Sequence, residues 1–354
     1  MPERVDRLDG FQRRHPTIGF PIAVLYKFVD DQGVYLAALI TYYGFLSLFP
    51  LLLLLASVVG FLLQNDPDLQ TRILDSTLSQ FPIIRDELAD PKGLQGSTAA
   101  VVVGGLIALY GALGVAQAIQ NAMNAAWAVP RNRRPSPLHA RLRSLLLLLT
   151  GGLAVLTATF LSGVVSSASA FGAEPSLALR VAATFAGVVL NAIVLVIIFR
   201  VGTARTLRKR DVLPGAFTAA VLWQMLQLFG TAYVGYVFKG ASTTYGVFAL
   251  VFGLLAWLFL GALCLVFCVE LNVVRVKRLY PRALLTVFTD NVDLTDADKQ
   301  TYADTAGAQR LKGFERITVS YEHDGQYRSS ARRLEPVDDE AEERAPPTVD
   351  DGAA

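Results

Sequence analysis

Six long stretches of the chain carry no Asp, Glu, Lys or Arg. They lie between Asp31 and Asp66, Lys92 and Arg131, Arg143 and Glu174, Arg180 and Arg200, Asp211 and Lys239, and Lys239 and Glu270. Inside them the apolar residues run continuously, as in Leu145-Leu146-Leu147-Leu148-Leu149 and Val194-Leu195-Val196-Ile197-Ile198, without the period of two that a membrane β-barrel shows. An unpaired charge at the centre of a bilayer costs about 2.5–3.5 kcal/mol, and about 20 helical residues span the hydrocarbon. Each stretch therefore suits one crossing. The pattern predicts an all-α membrane protein, a bundle of six transmembrane helices over about 34–63, 98–120, 144–168, 181–200, 212–237 and 246–271.

The polar remainder divides the chain into a transmembrane domain over 1–282 and a soluble tail over 283–354. In the first outer connection Leu69, Ile73, Leu74, Thr77, Leu78 and Phe81 recur at helical spacing, which suits an amphipathic helix on the outer surface. In the tail, Thr295 is placed to cap a helix running to about Leu311. Residues 317–321 alternate like a strand, and Asp324-Gly325 suits a hairpin turn after them. From about Leu334 onward Asp, Glu and Pro prevail, as in a disordered end. Within the bundle Gly104, Ala108, Ala112 and Ala116 repeat every fourth residue, a stripe that lets helix backbones approach closely.

Composition agrees with lipid as the surroundings: 53% of residues are hydrophobic and 18% charged, against roughly 45–50% and 25% in soluble domains. The net charge of +2 matters less than where the cations stand. Arg4, Arg7, Arg13, Arg14 and Lys27 precede the first stretch, and Arg131, Arg133, Arg134, Arg141 and Arg143 follow the second. Arg200, Arg205, Arg208, Lys209 and Arg210 follow the fourth, and Arg275, Lys277, Arg278 and Arg282 the sixth. Six crossings put all four groups on one side, so the amino and carboxyl termini are both expected in the cytoplasm. Residues 1–30, basic and not apolar, do not read as a cleaved signal peptide. Cys264 and Cys268 sit a helical turn apart in an apolar run, and His15, His139 and His323 are scattered. Neither a disulfide framework, a metal site nor a cofactor is expected.

Several phrases resemble the YihY/BrkB family of bacterial inner-membrane proteins, also called virulence factor BrkB and formerly labelled ribonuclease BN. They begin with Ala37-Ala38-Leu39-Ile40-Thr41-Tyr42-Tyr43-Gly44-Phe45-Leu46-Ser47-Leu48-Phe49-Pro50 in the first helix and Asn121-Ala122-Met123-Asn124-Ala125-Ala126-Trp127 closing the second. Leu213-Pro214-Gly215-Ala216 and Trp223 follow in the fifth, Thr244-Tyr245-Gly246 before the sixth, and Glu270-Leu271-Asn272 at its end. The resemblance covers about 20–285; it departs at Phe199-Arg200-Val201-Gly202-Thr203, where the family often has a Leu-Pro-Asn type turn. It implies six membrane helices in a bacterial inner membrane and supplies no settled activity.

Metal-dependent RNA cleavage needs clustered His and carboxylate ligands, which the chain does not offer, so neither ribonuclease activity nor a nucleic-acid partner is expected. Polar side chains at membrane depth are more informative. Tyr42 and Tyr43 lie in the cytoplasmic half of the first helix, Gln117 and Asn121 share one face of the second with Gln120 and Asn124 on another, and Glu270 and Asn272 end the sixth. Asn191 falls in the middle of the fourth, and Gln224 and Gln227 in the middle of the fifth. One reading is interhelical hydrogen bonding, worth about 0.6–2 kcal/mol a pair. The other is a cytoplasm-facing polar site of Tyr42, Tyr43, Gln117, Asn121, Asn124, Glu270 and Asn272 that receives a solute or lipid, with Glu270 charged or protonatable. Two functions follow: a transporter or translocator of a small solute or lipid, or a non-catalytic membrane scaffold supporting envelope assembly. The bilayer is the one partner the sequence names; oligomeric state stays open.

Overall fold

The computed structural model describes residues 9–62, 98–170, 177–237, 243–284, 286 and 292–321. The expected outer amphipathic helix, the turn at Asp324-Gly325 and the acidic end lie outside them. A short helix, α1 (Pro16–Asp30), precedes six long ones: α2 (Gly33–Leu62), α3 (Thr98–Ala126), α4 (Pro137–Ala170), α5 (Leu177–Gly202), α6 (Lys209–Val237) and α7 (Thr243–Lys277). A last helix, α8 (Asp296–Ala308), follows α7.

Several helices outrun the charge-free stretches. α4 begins already at Pro137 and α7 runs on to Lys277, while α3 continues to Ala126, past its expected end near 120 but still short of Arg131, because leaving the hydrocarbon does not itself break a helix. Local chemistry does. Pro137 suits the first turn of α4, where its missing N–H is not needed. Ala128 and Arg278 adopt left-handed backbones just past α3 and α7, and Arg275 and Lys277 sit in the last turn of α7, where cations favour the helix dipole.

Among the described residues, at least four helices are long and apolar enough to cross a membrane: Gly105–Ala126, Thr184–Gly202, Lys209–Gly230 and Val251–Lys277. The apolar segment Gly33–Leu48 of α2 is shorter. Tyr110, Phe185, Phe229 and Phe252 are exposed on the outside of the bundle, a surface suited to lipid and costly in water. The protein is an all-α, multi-pass membrane bundle.

Each long helix packs on the next in chain order, and α7 closes the ring against α2. α3 leans inward and also touches α5 and α7. Small residues set the closest crossings. A Cβ on Gly111 of α3 would lie 2.7 Å from the Cβ and 2.9 Å from the Cα of Ser47, and one on Gly114 would enter the Tyr43 ring. Ala108, Ala112 and Ala116 of the same helix are buried. A Cβ on Gly215 of α6 would overlap Asn272 of α7.

The basic segments meet at one end. The Arg205 guanidinium lies 5.8 Å above the Trp127 ring, Asn132 N–H donates to the Arg310 carbonyl at 3.1 Å, and Arg13 donates to the Asp293 carbonyl at 2.9 Å. A core of Val24, Met123, Trp127, Phe199, Val212, Val269, Val273 and Leu279 joins α1, α3, α5, α6 and α7 behind that end. α8 starts with a capping box in which Thr295 and Asp298 exchange side-chain-to-backbone hydrogen bonds. The strand-like residues 317–321 run unpaired, and among the described residues there is no strand.

Candidate functional site

α1 lies across the basic end of the bundle and packs on α7 and α2. Its buried face is Ala23, Val24, Lys27 and Phe28, while Ile18, Leu25 and Val29 are exposed. A lysine thus stands in the buried row. The Lys27 ammonium is 1% exposed; it hydrogen-bonds Asp31 at the corner between α1 and α2, reaches the Ala126 carbonyl at 3.4 Å and lies 3.8 Å from Glu270 of α7.

Glu270 is fully buried. Among the described residues no N–H or hydroxyl donates to either of its carboxylate oxygens; the Lys27 ammonium and the Asp31 carboxyl face it instead. Two carboxyls in contact hydrogen-bond only when one holds a proton. Burial pushes the Asp31 carboxyl up from its ordinary value, and the Lys27 ammonium only partly opposes that. Burial also works against the Lys27 charge, but Glu270 and then Asp31 outweigh it and hold the ammonium above its usual range.

A second charged group fastens α8 to the same end. The fully buried Arg282 pairs with Asp298 of α8 and with Asp30 of α1, the latter at 2.9 Å. Burial disfavours its charge, yet Asp30 and Asp298 raise it above the ordinary arginine value. Lys277 bonds the Trp127 carbonyl at 3.1 Å and Asp304 of α8 at 3.0 Å.

The polar residues singled out in the sequence fall into different surroundings. Asn124 is buried and accepts from the Ala204 N–H at 2.7 Å, tying α3 to the turn after α5. Asn272 is buried between the Gly215 N–H at 2.8 Å and the Val212 carbonyl at 3.1 Å, tying α7 to α6. Gln120, on the other side of α3, bonds Ser144 at 2.8 Å and the Ala140 carbonyl at 3.2 Å of α4. Asn121 is exposed and accepts from Arg134 at 3.2 Å, and Gln117 is exposed. Tyr42 is 61% exposed with its ring edge-on to Tyr43, which packs on Gly114. Glu270 meets Lys27 and Asp31, two charges that count in the sequence as edges of a crossing and that nothing in the pattern marks as its partners.

The motif phrases make sense as contacts. Gly215 of Leu213-Pro214-Gly215-Ala216 seats Asn272 of Glu270-Leu271-Asn272, and Tyr43 and Ser47 seat on Gly114 and Gly111. Among the described residues no group of three or more His, Cys, Asp or Glu is placed to hold a metal ion. A sequence model of the family described as Virulence factor BrkB matches residues 24–285, most of the chain. The chain belongs to that family. No curated protein and no solved structure matches it.

Proposed function

We propose that the protein is a transporter or translocator of a small solute or lipid, set in a bacterial inner membrane with six crossings and both termini cytoplasmic. In this reading Lys27, Asp31 and Glu270 form the closed cytoplasmic end, in place of an open vestibule lined by Tyr42, Gln117 and Asn121. The observation that carries it is Glu270: a fully buried carboxylate on a membrane helix whose cation comes from the peripheral helix α1. Burying an ion pair stabilises little over an apolar pair, so its presence here favours a role in changing state. Because α1 is not one of the spans, its withdrawal separates the pair and exposes the carboxylate, and a proton on the Asp31–Glu270 pair compensates for the lost ammonium.

The scaffold reading has its own support in Gln120, Asn124 and Asn272, which are satisfied helix-to-helix straps. Glu270→Gln separates the two. It keeps the shape and removes the charge, so the variant is expected at near wild-type levels in membranes of a deletion strain. If the pair works in transport, the variant fails to restore the strain's lipid and metabolite profile, which wild type restores. Full restoration by Glu270→Gln would sink the transport reading and leave the scaffold.

A further inference from the structure

A cleft of about 150 Å³ lies between α5, α6 and α7 at the middle of their length. Val194, Ala219 and Leu265 line it with Trp223, and Gly261 leaves it room, since a Cβ there would stand 3.1 Å from the Trp223 ring. Toward the basic end it stops at packed side chains, for Ala219 belongs to the core of Met123, Phe199 and Val212. Asn191 contributes the single side-chain amide of the lining. Among the described residues nothing hydrogen-bonds that amide, whereas Gln120, Asn124 and Asn272 are all engaged. Asn191 is half-buried, so at this depth its unpartnered amide faces the cleft and hydrocarbon in place of water, which is unfavourable.

We infer that the cleft binds a phenol-class ligand, one aromatic ring bearing one hydroxyl, drawn from the bilayer in which such molecules dissolve. Size, surface and polarity agree on this occupant. An apolar cavity of about 150 Å³ holds one benzene. The Trp223 indole offers a face or edge for a ring. A hydroxyl both donates and accepts, so it satisfies the Asn191 amide in either orientation. A lipid acyl chain fills the same space but leaves the half-buried amide unpaired at membrane depth, and a site with a polar group facing the ligand discriminates against one lacking its partner. The cleft is separate from Lys27 and Glu270, so this inference stands apart from the transport reading.

The test uses the full chain in lipid nanodiscs, with fluorine NMR of 4-fluorophenol and fluorobenzene, wild type beside Asn191→Leu and Val194→Phe. Saturable fluorophenol binding is expected in wild type. Asn191→Leu should weaken it about tenfold, equivalent to about 1.4 kcal/mol, while leaving fluorobenzene unchanged. Val194→Phe, which fills the cleft, should abolish both. Asn191→Ala replaces the leucine variant if the latter does not fold. Non-saturable signals in all three proteins, or fluorophenol binding indifferent to residue 191, would overturn the inference. So would native mass spectrometry that releases a phospholipid from wild type and none from Val194→Phe, since the occupant would then be a lipid chain.

Discussion

Lys27 is the side chain on which most of the buried charge depends. Replacing it by Met leaves Asp31 and Glu270 facing each other without a cation, and breaking a buried pair in this way costs about 3–5 kcal/mol. Thermal unfolding in detergent should show that loss, and the double variant with Glu270→Gln should recover part of it. The pH dependence follows from signs. Lys27 is raised in the folded protein, so its contribution is complete below its ordinary value of 10.5 and fades only as pH climbs through the higher folded value. Asp31 is raised from 3.8, so its contribution is complete below that value and is lost as pH rises through the folded one. The stability margin of wild type over Asp31→Asn should therefore narrow as pH rises from 4; a margin that widens would contradict the burial argument. Glu270 stands out in the sequence because it ends an apolar run. Its partner does not, because α1 is apolar on both its buried and its exposed face and hides which way Lys27 turns.

Between elements, backbone proximity decides which glycines matter. Gly111→Ala pushes a methyl against the Ser47 backbone, which cannot swing aside, and should cost about 1–3 kcal/mol. Gly151→Ala and Gly152→Ala meet nothing within 4 Å and should stay within about 0.5 kcal/mol of wild type. Melting curves of the three variants in one detergent check the contrast, and an unaffected Gly111→Ala would mean that α2 and α3 do not cross so closely. The small-residue stripe of α3 was readable as a packing face, since spacing alone puts Ala108, Ala112 and Ala116 in line. The helix ends were less readable: absence of charge measures the hydrocarbon, whereas α4 and α7 continue beyond it until a proline or a left-handed residue intervenes, and α3 stops at one before its charge-free stretch is used up.

For the whole molecule, the gathering of basic segments at one end predicts that this end faces the cytoplasm. Single cysteines at Ser136 and Gly313 should label only after the inner membrane is made permeable. One at Ser79, in the connection outside the described residues, should label from the other side in intact cells. Labelling of Ser136 in intact cells would reverse the orientation. Arg282 adds something different. It pairs with Asp30, 252 residues earlier, and with Asp298 just after it. At about 5–20 residues per second on the ribosome, α1 waits on the order of tens of seconds for that partner. A chain that stalls before Arg282 has made every apolar helix and the Lys27–Glu270 contact, and yet lacks the ion pairs that join α1 to α8. Completed synthesis thus adds the tie between the two terminal helices, and an unfinished copy, whose first helix is held by the bundle alone, should be the more readily proteolysed.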